Sequence, residues 1–489
     1  MPLWPAFVGG AYRTRSPIIA ASTLVNLYLE QTESQADVKR AVLYGTPGLR
    51  PLFNATGSEG CRGMFQQDGR VFAVYGANLF ELDFALTAAT LRGTMMDDGL
   101  PVTFASNGRG GEQLAVCGAG QLYILRLTTN VFSGPIALPG AFIPVMIDYI
   151  DGYFLMNEAA TPKIWFSALE DGTSWNGLDF FARSETSDNI IGFKVLNNRV
   201  WALGSQTSEL FYNTGDNLNP FAPFPGTVMQ EGCAAWTSIT IIGESLAWLA
   251  ADNQGTNRFV IASSPQPEVI STPATSYALQ TYPTITDCEV LAYEQEGHPF
   301  VCWTFPSSPL QTTWCYDVRT KEFHQRQGFD EATGLYVRWR ARGVCVVGQT
   351  MVVGDYATDD VYALDLETQT DNLTAISRER TAPYIGTDNQ KLFLDQFELG
   401  MEAGVGLNVG QGSQPKLMLD ISWDGAKTWG PVTTATIGAM GQYGAAAVWH
   451  QLGSGRQDRL VVRVRQTDPV RAVWGPGAWV RVTPGTGQR

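Results

Sequence analysis

With 44% of its 489 residues hydrophobic and only 16% charged, the chain has ample material for large buried cores and is too apolar to be disordered. Its 51 glycines, 26 prolines and 14 tryptophans describe a turn-rich aromatic protein. No long stretch carries helical periodicity, which excludes bundles and coiled coils. The formal net charge of −14 speaks against a chain that holds nucleic acid by affinity, because that task needs basic side chains. The charge is uneven: from His450 onward seven arginines meet two aspartates, about +5, which leaves about −19 for the remainder. An acidic body with one basic docking end is one reading, and a solvated arginine-rich strand face is the other.

The opening Met1-Pro-Leu-Trp4-Pro lacks the basic-then-apolar order of a secretory leader, and the apolar stretch 239–251 is interrupted by Glu244 and too short to span a bilayer. A soluble protein without a membrane span is expected. Seven scattered cysteines (61, 117, 233, 288, 302, 315 and 345) with no Cys-x-x-Cys suggest free thiols in a reducing compartment. Cys302 and Cys315 can face each other across a hairpin, and are read as two small buried side chains. Residues 1–55 are expected to be an irregular N-terminal extension, with a short strand at Asn26–Glu30. A turn follows at Thr46-Pro47-Gly48, where proline presets φ and glycine supplies the positive φ that follows.

From Val71 the chain settles into hairpins. Val71–Tyr75 is apolar on both faces, turns through Gly76 and Asn78, and returns as Leu79–Leu82. The pattern recurs at 114–125, 153–166, 200–212, 247–261, 300–316 and 351–364. The spacing is roughly 40 to 54 residues, the length of one four-stranded propeller blade. The expected fold is all-β: a six- or seven-bladed β-propeller over 56–384, with a plain series of β-sandwich hairpins as the alternative. Two inserted loops are expected near 170–189 and 213–232. In the second, three prolines leave Phe221 and Phe224 without an obvious strand, marking them as candidates for a contact with a lumen or a tail part. After Arg380 the texture changes, and 385–489 reads as a separate C-terminal β-sandwich. Within it Val462-Arg463-Val464-Arg465 alternates strictly, so one strand face carries both guanidinium groups.

The chemistry-bearing residues do not assemble into a site. His298, His324 and His450 lack metal spacing, no Gly-x-Ser-x-Gly or phosphate loop occurs, and adjacent carboxylates such as Asp97-Asp98 point to opposite faces of a strand. Neither catalytic residues nor a metal or other cofactor is expected. Ser422-Trp-Asp424-Gly-Ala426-Lys-Thr428-Trp429 resembles the Asp-box turn of sialidases, with Ala426 where that motif has glycine, and Asp171–Trp175 is a partial echo. In that family the box is a structural hairpin away from the catalytic centre. A glycan-binding or sialidase-like propeller is therefore the alternative function.

Ser16-Pro17, Asn26-Leu-Tyr28-Leu-Glu30 and Thr46-Pro47-Gly48-Leu49 resemble the opening of the packaged-DNA stabilisation (tail hub or tail nozzle) proteins of short-tailed phages. Ser422–Trp429, Gly438–Tyr443, Trp449–Gly453 and Thr467–Val470 are similar to that family's C-terminal domain. The resemblance implies a non-enzymatic virion protein, made in the host cytoplasm and built into the tail as a six-fold ring. It would close the channel beneath the portal and adaptor, retain the packaged double-stranded DNA without sequence-specific contacts and carry tail fibre, tailspike or needle proteins. On that view the C-terminal domain docks to the connector, with Arg463, Arg465 and Arg471 as the expected docking residues.

Overall fold

The computed structural model describes every residue except 5–6, 18–19, 32–40, 56, 58, 184–185, 187, 217, 253, 385–389 and 486–489. Its first domain is a ring of seven antiparallel units among the described residues. A representative blade runs Cys61–Gln67, Arg70–Tyr75, Asn78–Leu82 and Ala89–Thr94, each strand paired with the next. The strand Arg70–Tyr75 is buried almost throughout because its two faces pack into different cores: Val71, Ala73 and Tyr75 into one, Phe72 and Val74 into the next. Two-sided apolar strands thus stack blade on blade. The first strand of each blade lines the axis, where Ala341–Val347 of the last blade packs beside Cys61–Gln67 of the first.

Ring closure is not sequential. The last blade takes its first three strands from Ala341–Val347, Thr350–Asp355 and Asp360–Asp365, and its fourth, Gly48–Asn54, from the leader. The leader is therefore more regular than expected. Ala21–Val25 pairs in parallel with Glu322–Arg326 of the sixth blade and antiparallel with Arg378–Pro383 of the sandwich. One continuous ten-stranded sheet thereby runs from propeller to sandwich. Leu27–Gln31 and Ala41–Gly45 extend the opposite sandwich sheet beside Val473–Pro484. Trp4 and Phe7 are buried in the sandwich core with Phe397, Trp449 and Trp474.

The seam is polar and buried. Asn26, with φ of 54°, donates to the carbonyls of Gln327 (2.9 Å) and Ser377 (2.8 Å) and accepts from the Gln327 amide. Arg380 is fully buried and donates to the carbonyls of Phe7, Gly10 and Thr23. Such a network holds the two domains in one orientation, since a hydrogen bond broken there strands a buried group.

Three local expectations are corrected. The supposed insertion near 170–189 contains the strand Asp171–Ala182, an outer blade strand with a bulge, and the one near 213–232 contains the outer strand Phe221–Pro223. Cys302 and Cys315 lie directly opposite on adjacent strands and are joined as a disulfide, not left as two thiols. The remaining five cysteines are free and buried.

Candidate functional site

A propeller concentrates inward-facing side chains at its axis, so the axis is the first place to look for function. Here the first strands enclose a cavity of about 220 Å³, and a second of about 360 Å³ sits at the mouth formed by the inter-blade connections. Glu289 accepts from Arg338 Nη2 (2.5 Å) and Arg342 Nη2 (2.9 Å), while Arg342 also reaches the Gly99 carbonyl at 3.0 Å. The fully buried Arg62 donates to the carbonyls of Leu100 (2.7 Å), Met96 (2.9 Å) and Gly76 (3.1 Å), and pairs with Asp97 and Asp98. Lys194 pairs with Asp148 at 2.8 Å. Asp97 and Asp98 thus lie in the connection between the first two blades and converge on one guanidinium.

These pairs tie neighbouring blades and connections together around the axis. Its cavities are at or below the size of ordinary small-ligand sites, and far too small for a duplex whose major groove alone is about 12 Å wide. The Trp236 and arginine lining has the composition of a sugar pocket, but both mouth arginines are already held by Glu289. Reactive groups elsewhere are quiet. His298 is tied to Asp317 at 2.7 Å, which raises its pKa, and burial lowers His324 to about 3. Burial pushes the thiols of Cys61, Cys117 and Cys233 up to about 12. Among the described residues no cluster of His, Cys, Asp and Glu has the makings of a metal site, and no helix is long and apolar enough to cross a membrane.

On the sandwich, Val461–Gln466 alternates as its sequence requires, Val462 and Val464 inward, Arg463 and Arg465 outward. Both guanidinium groups converge on the buried carboxylate of Asp420 on the neighbouring strand; Arg463 Nε and Arg465 Nη2 each lie 2.9 Å away. Arg463 also stacks on Trp429 at 4.1 Å. Nothing in the sequence around Asp420 announces this partner. Arg471 is half exposed and loosely paired with Glu402 at 3.7 Å; Arg489 lies outside the described residues. Phe221 is buried against Tyr153, Phe166 and Phe181, contrary to its expected exposure. Phe224 is the exposed member of the pair, its ring covered on one side by the Arg199 guanidinium at 4.0 Å.

The segment Ser422–Trp429 folds as an Asp-box hairpin should. Asp424 accepts from the amides of Lys427 (2.9 Å) and Thr428 (3.0 Å) and from the Thr428 hydroxyl (2.6 Å), which holds its carboxyl far below the usual range. The turn directly follows the sandwich strand Lys416–Ser422 and is held by its own hydrogen bonds.

The family model for the bacteriophage P22 Gp10 β-propeller matches residues 5–369, and that for the P22 Gp10 β-sandwich matches residues 377–482. The chain belongs to the bacteriophage P22 Gp10 family. Like the rest of that family it is a phage tail hub and stabilisation protein, with a propeller followed by a sandwich. Among curated proteins none matches. Solved structures with a related outline include a chain of the mitotic checkpoint complex, 8% identical, covering 69% of this chain and 95% of that one at a TM-score of 0.41. PorZ of the Porphyromonas gingivalis type-IX secretion system is 14% identical, covering 78% of this chain and 46% of its own at 0.35. These likenesses are too loose to add to the family's account of the fold.

Proposed function

We propose that six copies assemble into a ring beneath the portal and adaptor of a phage particle, close the channel behind the packaged DNA, and guide that DNA outward at ejection. The observation that supports this reading most strongly is the narrowness of the propeller axis, whose cavities of about 220 and 360 Å³ are far too small for a duplex. A tail hub that passes DNA needs a bore, and a chain whose own axis is too narrow for a duplex supplies one only between copies. Six copies would carry about −84 in total, a wall that repels phosphate and so restrains a stiff duplex by shape without adhesion. Fibre, spike or needle proteins would attach to the same ring, and the finished protein would reside in the virion tail after synthesis in the host cytoplasm.

The sandwich, residues 385–489, is the proposed connector-docking part. Arg471 is the arginine best placed to meet an acidic adaptor, since its present partner is distant and exposed; Arg463 and Arg465 would have to share Asp420 with the adaptor. Phe224 remains a candidate for a lumen or tail-part contact, with Phe221 anchoring its strand. The test is to mix the purified chain with portal–adaptor complexes and image them by negative stain. Rings on the connector are expected, and they should be lost with Arg471→Glu; chains that stay single beside the connector would contradict the proposal.

A further inference from the structure

The sandwich ends in an apolar tip. Loops 403–415 and 437–446 are zipped by bonds from the Gly404 amide to the Ile437 carbonyl (3.1 Å) and from the Gly441 amide to the Gly404 carbonyl (3.2 Å). Together they leave Val409 and Tyr443 each 80% exposed, with Met440 and Leu407 beside them. No charged residue occurs from Ala403 to Pro415 or from Thr428 to Trp449, in a chain of net charge −14. Exposed apolar surface of this kind marks a contact.

The same chain carries a groove of about 320 Å³, lined mainly by apolar surface. It lies between the helix Pro273–Gln280, the connection 309–312 and the leader, with Tyr277, Ala278, Leu310 and Trp314 on its walls and Arg13 and Arg15 among its lining residues. The root of the tip and the groove lie toward different ends of the sixth blade's first strand, Glu289–Gln295. The tip is rooted beside Glu402 and Arg471, and Arg471 lines a cleft with Glu296, in the turn leaving the first strand of the sixth blade. The groove is built on the connection that enters that strand from its other end. Within one chain no residue of the tip lines the groove.

We infer that the tip of one copy seats in the groove of the next, forming the head-to-tail contact of the ring; the inference rests on the ring proposed above. A heterologous contact of this kind is what generates closed rings. A cavity of about 150 Å³ takes a benzene-sized group, so this groove has room for the Tyr443 ring and an aliphatic neighbour. Arg15 already lies over the Tyr277 ring at 6.0 Å and can offer the same cation–π contact to an arriving tyrosine. A tip without carboxylates also approaches an acidic neighbour without like-charge cost.

The test replaces Tyr443 with p-benzoylphenylalanine in assembled tails and irradiates them. A covalent chain-to-chain adduct within Pro273–Tyr282 or Pro309–Thr312 is expected. Adducts to another tail protein, to another part of this chain, or no adduct at all would overturn the inference while leaving the ring standing. Ala278→Trp fills the groove from within: the isolated chain should melt at the parental temperature while ring yield falls by roughly tenfold or more. Rings of Ala278→Trp at parental yield would overturn the contact, and absence of the parental chain from tails would overturn the ring itself.

Discussion

Ala426 occupies the left-handed region, with φ of 64°, at the position where an Asp box normally carries glycine. A side chain there costs about 1–2 kcal/mol, partly offset by the greater unfolded-state freedom of glycine. Ala426→Gly is therefore expected to raise stability by up to about 1 kcal/mol in denaturant titration, and a lower midpoint would contradict the strain. His324 gives a prediction in pH. Burial, with Arg326 adding to it, lowers its pKa from 6.5 to about 3, so below pH 6.5 the unfolded chain takes up a proton that the folded chain refuses. Its contribution is complete above pH 6.5 and drains away as pH falls toward 3. His324→Leu should lose that component, so the stability difference between parent and variant should move in favour of the leucine across this window; a difference independent of pH would contradict a neutral buried imidazole. At this scale the sequence exposed one half of each pair. The alternation that set Arg463 and Arg465 on one face was legible, but Asp420 beneath them was not, because it comes from a strand more than 40 residues away with no distinguishing motif. Phe221 was misread for a similar reason: three nearby prolines hid a three-residue outer strand that needs only the edge of a blade to form.

The blade hairpins were readable because strand, turn and strand are contiguous, and because apolar residues on both faces leave few other places to put them. The leader was not. Its strand Ala21–Val25 finds partners at Glu322–Arg326 and Arg378–Pro383, about 300 and 350 residues on, and no local pattern encodes such pairings. The same non-locality makes the leader a structural tie. Trp4 is 2% exposed, packs edge-on against Tyr384 and Phe397, and donates from Nε1 to the Pro383 carbonyl at 3.1 Å. Trp4→Ala should cost roughly 3–5 kcal/mol by urea unfolding. A cost below about 1 kcal/mol would mean that the leader is a passive arm.

At the scale of the whole molecule, two features decide how the protein works. The shared sheet and the buried seam tie propeller to sandwich, so on the proposed function opening would come from movement of whole chains or of their loops, not from a hinge between domains. The narrow axis has no room for a duplex, so the proposed route for DNA lies between copies. The fold class and the sparsely charged, acidic composition pointed to a structural role from the start, whereas the ion pairs lining the axis depend on Arg62, Arg338 and Arg342 meeting carboxylates from other segments. The most direct measurement is a cryo-electron-microscopy reconstruction of DNA-filled particles at a resolution that places this chain. Copies arranged in a ring, with the DNA end in the lumen between them against acidic walls and every propeller axis empty of DNA, are expected. DNA density inside a propeller axis, or a lumen lined by basic side chains gripping phosphates, would contradict the mechanism.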